Sequence, residues 1–322
     1  MSRRWEEVGV ARNRRNRGRH IDGILVLDKQ LGISSNAALQ EVKRLFDANK
    51  AGHTGSLDPL ATGVLPVCLG EATKVSQFLL DSDKQYRVRI RLGVRTDTGD
   101  SEGEVIATAE RREVMALERS DIESALAGFR GEIEQLPPMH SALKKDGVPL
   151  YKLARKGVTV EREPRQVSIY DIQLQALVDG ELELLIDCSK GTYVRTIADD
   201  LGEALGCGAH VVALRRTRAG AFREEDCVKA EDLALKKEAG GLEAIDRFLV
   251  AMDRAIGDLP EVRLPPITAS QLKNGQAVQV RHLPPEGLVR MYEEERFIGI
   301  GCIDDDGKVA PRRLIVEHPV SQ

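Results

Sequence analysis

Aromatic residues are scarce in this chain: one Trp, five Tyr and six Phe make up 4% of 322 residues. Any stacking on the rings of a ligand must therefore use few positions. Cysteine is as sparse, and Cys68, Cys188, Cys207, Cys227 and Cys302 stand apart from one another. There is no Cys-x-x-Cys pair, and the odd count argues against a disulfide framework. Cys207-x-x-His210 lacks the second ligand pair of a structural zinc site, so no metal is expected. No apolar run reaches membrane-spanning length, and the N-terminal residues lack the apolar core of a signal peptide. A reduced, cytoplasmic protein without a membrane partner is the expectation. The Gly-Lys-Ser/Thr ending of a phosphate loop is missing, as is a Gly-x-Gly-x-x-Gly fingerprint, so no cofactor is expected. What the chain does have is 42% hydrophobic residues and enough length for two domains.

The net charge is −4, which argues weakly against a nucleic-acid partner, but the charge is segregated. Residues 1–20 carry seven arginines against Glu6 and Glu7 and read as a disordered basic arm. Lys84, Arg87, Arg89, Arg91 and Arg95 form a second run, and Lys144, Lys145, Lys152, Arg155 and Lys156 a third. Arg215, Arg216, Arg218 and Arg223 form a fourth. Acid concentrates at 97–134 and 224–246. Each run alone could be a solvated face; four together favour a polyanion, because attraction to phosphate is local.

Gly23 to Lys29 reads as a short strand. Ser34 or Ser35 can cap a helix with Leu39, Val42 and Phe46 on one face. Tyr86, Val88, Ile90 and Leu92 alternate with Arg87, Arg89 and Arg91, the period of a strand with an apolar and a cationic face. Ser120-x-x-Glu123 has the pattern of a capping box. Residues 167–187 hold two strands around a turn at Asp179-Gly180. Strands and helices mix without regular alternation, which predicts an α+β fold. A Pro-rich stretch from Leu259 to Pro266 marks a boundary, and the glycine-punctuated runs beyond it suggest a small β module.

Two segments carry candidate chemistry. Residues 52–65, Gly-His-Thr-Gly-Ser-Leu-Asp-Pro-Leu-Ala-Thr-Gly-Val-Leu, cannot form a regular helix. Glycine permits unusual backbone angles, and Pro59 pushes Asp58 toward an extended conformation. Asp58 could be a nucleophile or general base on a shaped loop, or simply a turn residue capping its own backbone. In Lys190-Gly-Thr-Tyr-Val-Arg195 a strand ends and a helix begins, so Arg195 falls in a first helical turn, where the macrodipole disfavours a cation. It could be solvated, paired with Asp199, or held by a buried carboxylate elsewhere.

These two segments, with Lys84-Gln-Tyr86, Leu136-Pro-Pro-Met139 and Leu214-Arg-Arg-Thr217, resemble in type and order the motifs of the TruB family of pseudouridine synthases. The resemblance runs from about Gly23 to the C-terminus. Lys29 is followed here by Gln30 rather than Pro, and His140 stands where relatives often have an aromatic. The resemblance implies a mixed, largely antiparallel sheet of pseudouridine synthase type over residues 21–258. It also implies a small C-terminal β-barrel, similar to a PUA domain, over 259–322, in a monomer.

It further implies isomerisation of a uridine in the T loop of tRNA, at position 55. That reaction is redox-neutral and needs no group donor. Asp58 would be the nucleophile, with Arg195 favouring its ionised form, and Tyr86 would stack on the base near C5. His53, Tyr193, Leu214 and Lys29 would serve substrate binding, His53 filling the space a flipped base vacates. A non-catalytic RNA-binding or folding protein, and an RNA N-glycosidase using an aspartate, are the rival classes.

Overall fold

The computed structural model describes residues 18–316. Its first half contains β1 (Gly23–Lys29), α1 (Ser35–Leu45), β2 (Ala51–His53), β3 (Ala61–Leu69), α2 (Ser76–Asp81) and β4 (Lys84–Leu92). The hairpin β5 (Val94–Thr96) and β6 (Val105–Thr108) follows, then α3 (Arg111–Met115), α4 (Arg119–Ala127) and β7 (Gly131–Gln135). A small excursion holds β8 (Lys144–Lys145), β9 (Val148–Pro149) and α5 (Leu150–Ala154). The sheet resumes with β10 (Arg165–Val178) and β11 (Glu181–Cys188), then α6 (Val194–Ala204), β12 (Ala209–Ala219), β13 (Phe222–Arg223) and α7 (Ala230–Asp246). The last module contains β14 (Glu261–Leu264), α8 (Pro266–Lys273), β15 (Leu288–Glu293), β16 (Arg296–Ile303) and β17 (Val309–Leu314).

The main sheet has the order β1-β3-β12-β4-β11-β10-β7, with β2 on β3 and β13 on β12. Every pairing in it is antiparallel except β12 with β3. This is the α+β, largely antiparallel class expected. One edge of β3 is split. Ala61–Gly63 pair with β12, while Val67–Leu69 pair with β2. Between the two partners the edge opens, and residues 54–60 leave and re-enter the sheet there.

β1 is apolar almost throughout because both its faces are covered. Leu25 and Leu27 pack with the helix side, against Leu39 and Val42 of α1, Ile197 and Leu201 of α6, and Leu233 of α7. Ile24 and Val26 face a second cluster with Leu79, Phe222, Ile256 and Ile300. Truncating a fully buried residue such as Ile197 to Ala costs about 2–5 kcal/mol. Helix α1 begins as its sequence predicts: the Ser34 hydroxyl accepts the Ala37 amide at 3.1 Å. Helix α4 starts two residues earlier than the Ser120 box implies. Glu118 and Asp121 form the reciprocal cap instead, because carboxylates can fill both roles. Asp179 and Gly180 both have positive φ, as a two-residue hairpin turn requires.

The C-terminal strands pair in the order β14-β15-β16-β17, around Leu272 of α8, Met291, Ile298 and Val309. Among the described residues the ladder is open at β14 and β17, and a bridge from Val278 to Val309 extends it. Arg19 corrects the extent of the disordered arm. Its guanidinium donates to the Phe46 carbonyl and pairs with Asp246, so residues 18–20 belong to the folded body. Residues 1–17 of the arm lie outside the described residues.

Candidate active site

The loop bearing Asp58 is held at several points. The Ser35 hydroxyl accepts the Leu57 amide at 2.7 Å and donates to the Leu57 carbonyl at 3.0 Å. The Asp58 carbonyl accepts from the Ala61 amide, and the Pro59 carbonyl from the Gly32 amide. Gly55 has φ +84°, a turn that a side chain would strain. The ladder's open edge is filled from the loop: the Thr54 amide donates to the Pro66 carbonyl at 3.1 Å.

Lys29 was expected to bind substrate, but it is fully buried. Its ammonium donates to the Ile33, Gln30 and Pro59 carbonyls at 2.7, 2.9 and 3.5 Å. It therefore staples the turn after β1 to the Asp58 loop and has no surface to offer a ligand. Burial pulls this ammonium down to about 8, with Asp58 opposing the shift and Arg216 adding to it.

Arg195 has the buried-carboxylate partner that its position suggested. Its side chain is only 6% exposed and its Nη2 lies 3.0 Å from Asp58 Oδ2. Nη1 lies 3.4 Å from Asp100 Oδ2, and that carboxylate is as buried as the arginine. The backbone completes the cage: Nη1 donates to the Thr98 carbonyl at 3.0 Å and Nη2 to the His140 carbonyl at 2.7 Å. Only the backbone of His140 serves this contact, so an unusual side chain there is tolerated. Asp199 is not the partner; it forms a two-pronged pair with Arg95.

Asp58 keeps 42% of its side chain open. Its carboxyl nevertheless sits above the ordinary carboxylate range. Burial of its surroundings is the largest cause; Arg195 pulls it down, Asp100 pushes it up, and Lys29 pulls it down. Arg195 thus favours the ionised form as expected, against a rise that burial and Asp100 impose.

The other candidates surround this centre. Tyr86 is half-buried on β4, its phenol pushed up by burial and partly offset by Arg216, with Asp58 among the charges it feels. Tyr193 stands at the N-cap of α6. The buried Gln135 side chain brackets its backbone, accepting the Tyr193 amide at 2.7 Å and donating to its carbonyl at 3.1 Å. Burial also raises the Tyr193 phenol. Leu214 is buried on β12 between Ala61 of β3 and Val88 of β4. His53 ends β2, half-buried, with a pKa lowered by burial and then by Arg216. A concavity of about 490 Å³ lies away from these residues, between α2 and the second sheet.

Sequence reasoning missed Asp100, Gln135, Arg216 and Lys84. Asp100 was hidden in an acidic loop whose other members face solvent. Its role arises from an Asx-type turn, with Thr98 Oγ1 and the Glu102 amide donating to Oδ1, that leaves Oδ2 for Arg195. The basic runs are also corrected in part. Arg87, Arg89 and Arg91 face Glu181, Glu183 and Glu224. Arg215 pairs with Asp28 and Glu224, and Arg218 with Asp187. Cross-strand pairing on the open sheet face consumes those charges. Among the described residues, the cations of 144–156 form no ion pair with a carboxylate.

A half-exposed carboxylate held against a buried guanidinium, which a second and buried carboxylate also faces, can act as a nucleophile or general base. Residues 43–194 match the TruB family pseudouridylate synthase N-terminal domain. Residues 195–257 match the tRNA pseudouridylate synthase B C-terminal domain, and 260–315 the C-terminal domain of pseudouridine synthase II TruB. The chain is 54% identical over 314 residues to tRNA pseudouridine synthase B of Pectobacterium atrosepticum, covering 95% of this chain and 99% of that one. It is 52% identical to the protein of the same name from Tolumonas auensis, over 95% and 96% of the two chains. Among solved structures, a chain of a Cbf5-Nop10-Gar1 complex superposes with a TM-score of 0.68 at 27% identity, covering 92% of this chain and 84% of that one. The chain belongs to the TruB family of pseudouridine synthases.

Proposed function

We propose that this protein isomerises uridine to pseudouridine in the T loop of tRNA, at position 55. The observation that carries the reading is Asp58, presented 42% exposed on a stapled loop and held 3.0 Å from the buried Arg195, in a chain of this family. The tRNA substrate follows from the names of the relatives. In the reaction the N1–C1′ bond breaks, a C5–C1′ bond forms, C5 loses its proton and N1 gains one. Asp58 is the nucleophile, and it acts ionised. Arg195 orients the carboxylate and keeps the charge affordable in a partly dry site. Tyr86 stacks on the base near C5, with Tyr193 and Leu214 shaping the rest of the pocket. The base leaves the loop's stack to reach Asp58, at a cost of a few kcal/mol, and His53 occupies the vacated space. The protein acts as a monomer, and the unpaired cations of 144–156 grip the RNA backbone. A binding protein alone has no use for a carboxylate locked to a buried arginine.

The test is to treat a T stem-loop RNA with the protein, map pseudouridine by carbodiimide modification, and weigh the product. Conversion at position 55 with unchanged mass is expected. Loss of a base would establish an N-glycosidase, and binding without conversion would establish a non-catalytic RNA-binding protein.

A further inference from the structure

Where β3 loses one partner and has not yet gained the next, its edge carbonyls need donors. Arg216 supplies one. Its guanidinium is buried, 1% exposed, and no carboxylate lies within ion-pair distance of it among the described residues. Instead Nε donates to the Val64 carbonyl at 2.7 Å and Nη2 to the Gly55 carbonyl at 3.1 Å. The two carbonyls flank the Asp58 loop in sequence, Gly55 where it begins and Val64 just after it ends. The backbone of Arg216 is equally constrained: it registers with Gly63 of β3 on one side and with Tyr86 of β4 on the other. A Cβ at Gly63 would lie 2.3 Å from the Arg216 carbonyl oxygen, and one at Gly55 would lie 3.4 Å from Nη1. Gly63 is thus needed for the close approach of β3 to the backbone at Arg216.

A buried cation that pairs with no anion is costly, and folds retain it only where it does something a neutral side chain cannot. We propose that Arg216 is a positioning residue for the reaction: by joining the two ends of the catalytic loop to the strand that faces Tyr86, it fixes the carboxylate of Asp58 relative to the aromatic ring. This rests on the proposed isomerisation. The charge also reaches His53 at the loop's entry, where it adds to burial in lowering the imidazole pKa. Lys84 on β4 and Lys29 on β1 are the other cations that feel Arg216.

The experiment uses the full chain and a T stem-loop RNA carrying tritium at C5 of the target uridine, whose release reports the reaction. Wild type, Arg216→Met and Arg216→Lys are compared by single-turnover rate, RNA Kd and thermal midpoint. Arg216→Met should fold and bind RNA within about threefold, because affinity rests on other groups, while its rate falls about 100-fold, the usual effect of a misplacement near 1 Å. Arg216→Lys, which keeps the charge and reaches one carbonyl, should recover about tenfold of that loss. The His53 imidazole pKa, read by NMR, should rise toward its ordinary value with Met and stay low with Lys. A Met variant that reacts within threefold of wild type overturns the proposal, as does a rate loss matched by an equal loss of affinity, or a Lys variant no faster than Met. If Arg216→Met does not fold, Arg216→Lys decides: a slowed rate at unchanged affinity supports the role, and a wild-type rate overturns it. An inactive wild type would instead refute the proposed function.

Discussion

Replacing Arg195 by lysine separates charge from geometry at the centre of the site. The guanidinium faces two carboxylates, at 3.0 and 3.4 Å, and donates to two carbonyls, at 3.0 and 2.7 Å. Lysine keeps the positive charge, so neither Asp58 nor Asp100 is left without a counter-charge and the fold should survive. A compact ammonium on a shorter reach cannot serve all four acceptors. Losing two of these contacts, at about 1.5–3 kcal/mol for each bond to a charged group, removes at least about 3 kcal/mol of restraint. If that restraint is expressed in the transition state, the rate falls roughly 100-fold, since each 1.36 kcal/mol is tenfold. The assay is single-turnover tritium release at saturating protein, so that binding drops out. Circular dichroism and the thermal midpoint confirm the fold. A lysine variant reacting within threefold of wild type would refute the geometric role of the fork.

Asp58→Asn should abolish turnover while tRNA affinity stays within about tenfold, or 1.4 kcal/mol; measurable conversion by purified variant would remove the nucleophile assignment. Asp100→Asn deletes a negative charge that raises the Asp58 pKa, so the acid limb of the single-turnover profile should move to lower pH. A limb that moves upward refutes the sign. For wild type, activity should rise as pH climbs through an Asp58 pKa above 3.8 and fall beyond about 8, where Lys29 loses the proton that staples the loop; a flat profile to pH 10 would contradict the staple. Lys144→Ala with Lys145→Ala should flatten the salt dependence of tRNA binding by about 1–2 in log–log slope, whereas Arg89→Ala with Arg91→Ala leaves it nearly unchanged; equal effects would mean that pairing with Glu181 does not withhold those arginines from phosphate.

The elements with a local cause were legible. The strand at Gly23–Lys29, the Ser34 cap and the Asp179-Gly180 turn depend on neighbouring residues and stand as their sequence predicts. Asp58 was visible because Gly and Pro announce a shaped loop, and Arg195 because a cation in a first helical turn needs a reason. What the sequence concealed was pairing at long range. Asp100 looked like any member of an acidic loop, and Gln135 like a strand residue. Arg215 and Arg218 looked like a phosphate grip until Asp28, Glu224 and Asp187 were placed beside them. Periodicity assigns a side chain to a face; it does not say which charge waits on the neighbouring strand.

That difference bears on how an acidic protein can engage RNA. On the main sheet the arginines of β4 and β12 stand opposite the carboxylates of β11 and the residues after β13, so the exposed sheet face is a lattice of opposite charges with little net field. Around Asp58 the balance is reversed. Lys29, Lys84, Arg195 and Arg216 are buried there, against the carboxylates of Asp58 and Asp100. Burial lowers Lys29 and Lys84 to about 8, so both remain charged at neutral pH. Held cations in a partly dry site act at shorter range but more strongly than solvated ones. Positive charge held out of water is therefore concentrated around Asp58 rather than on the exposed sheet face.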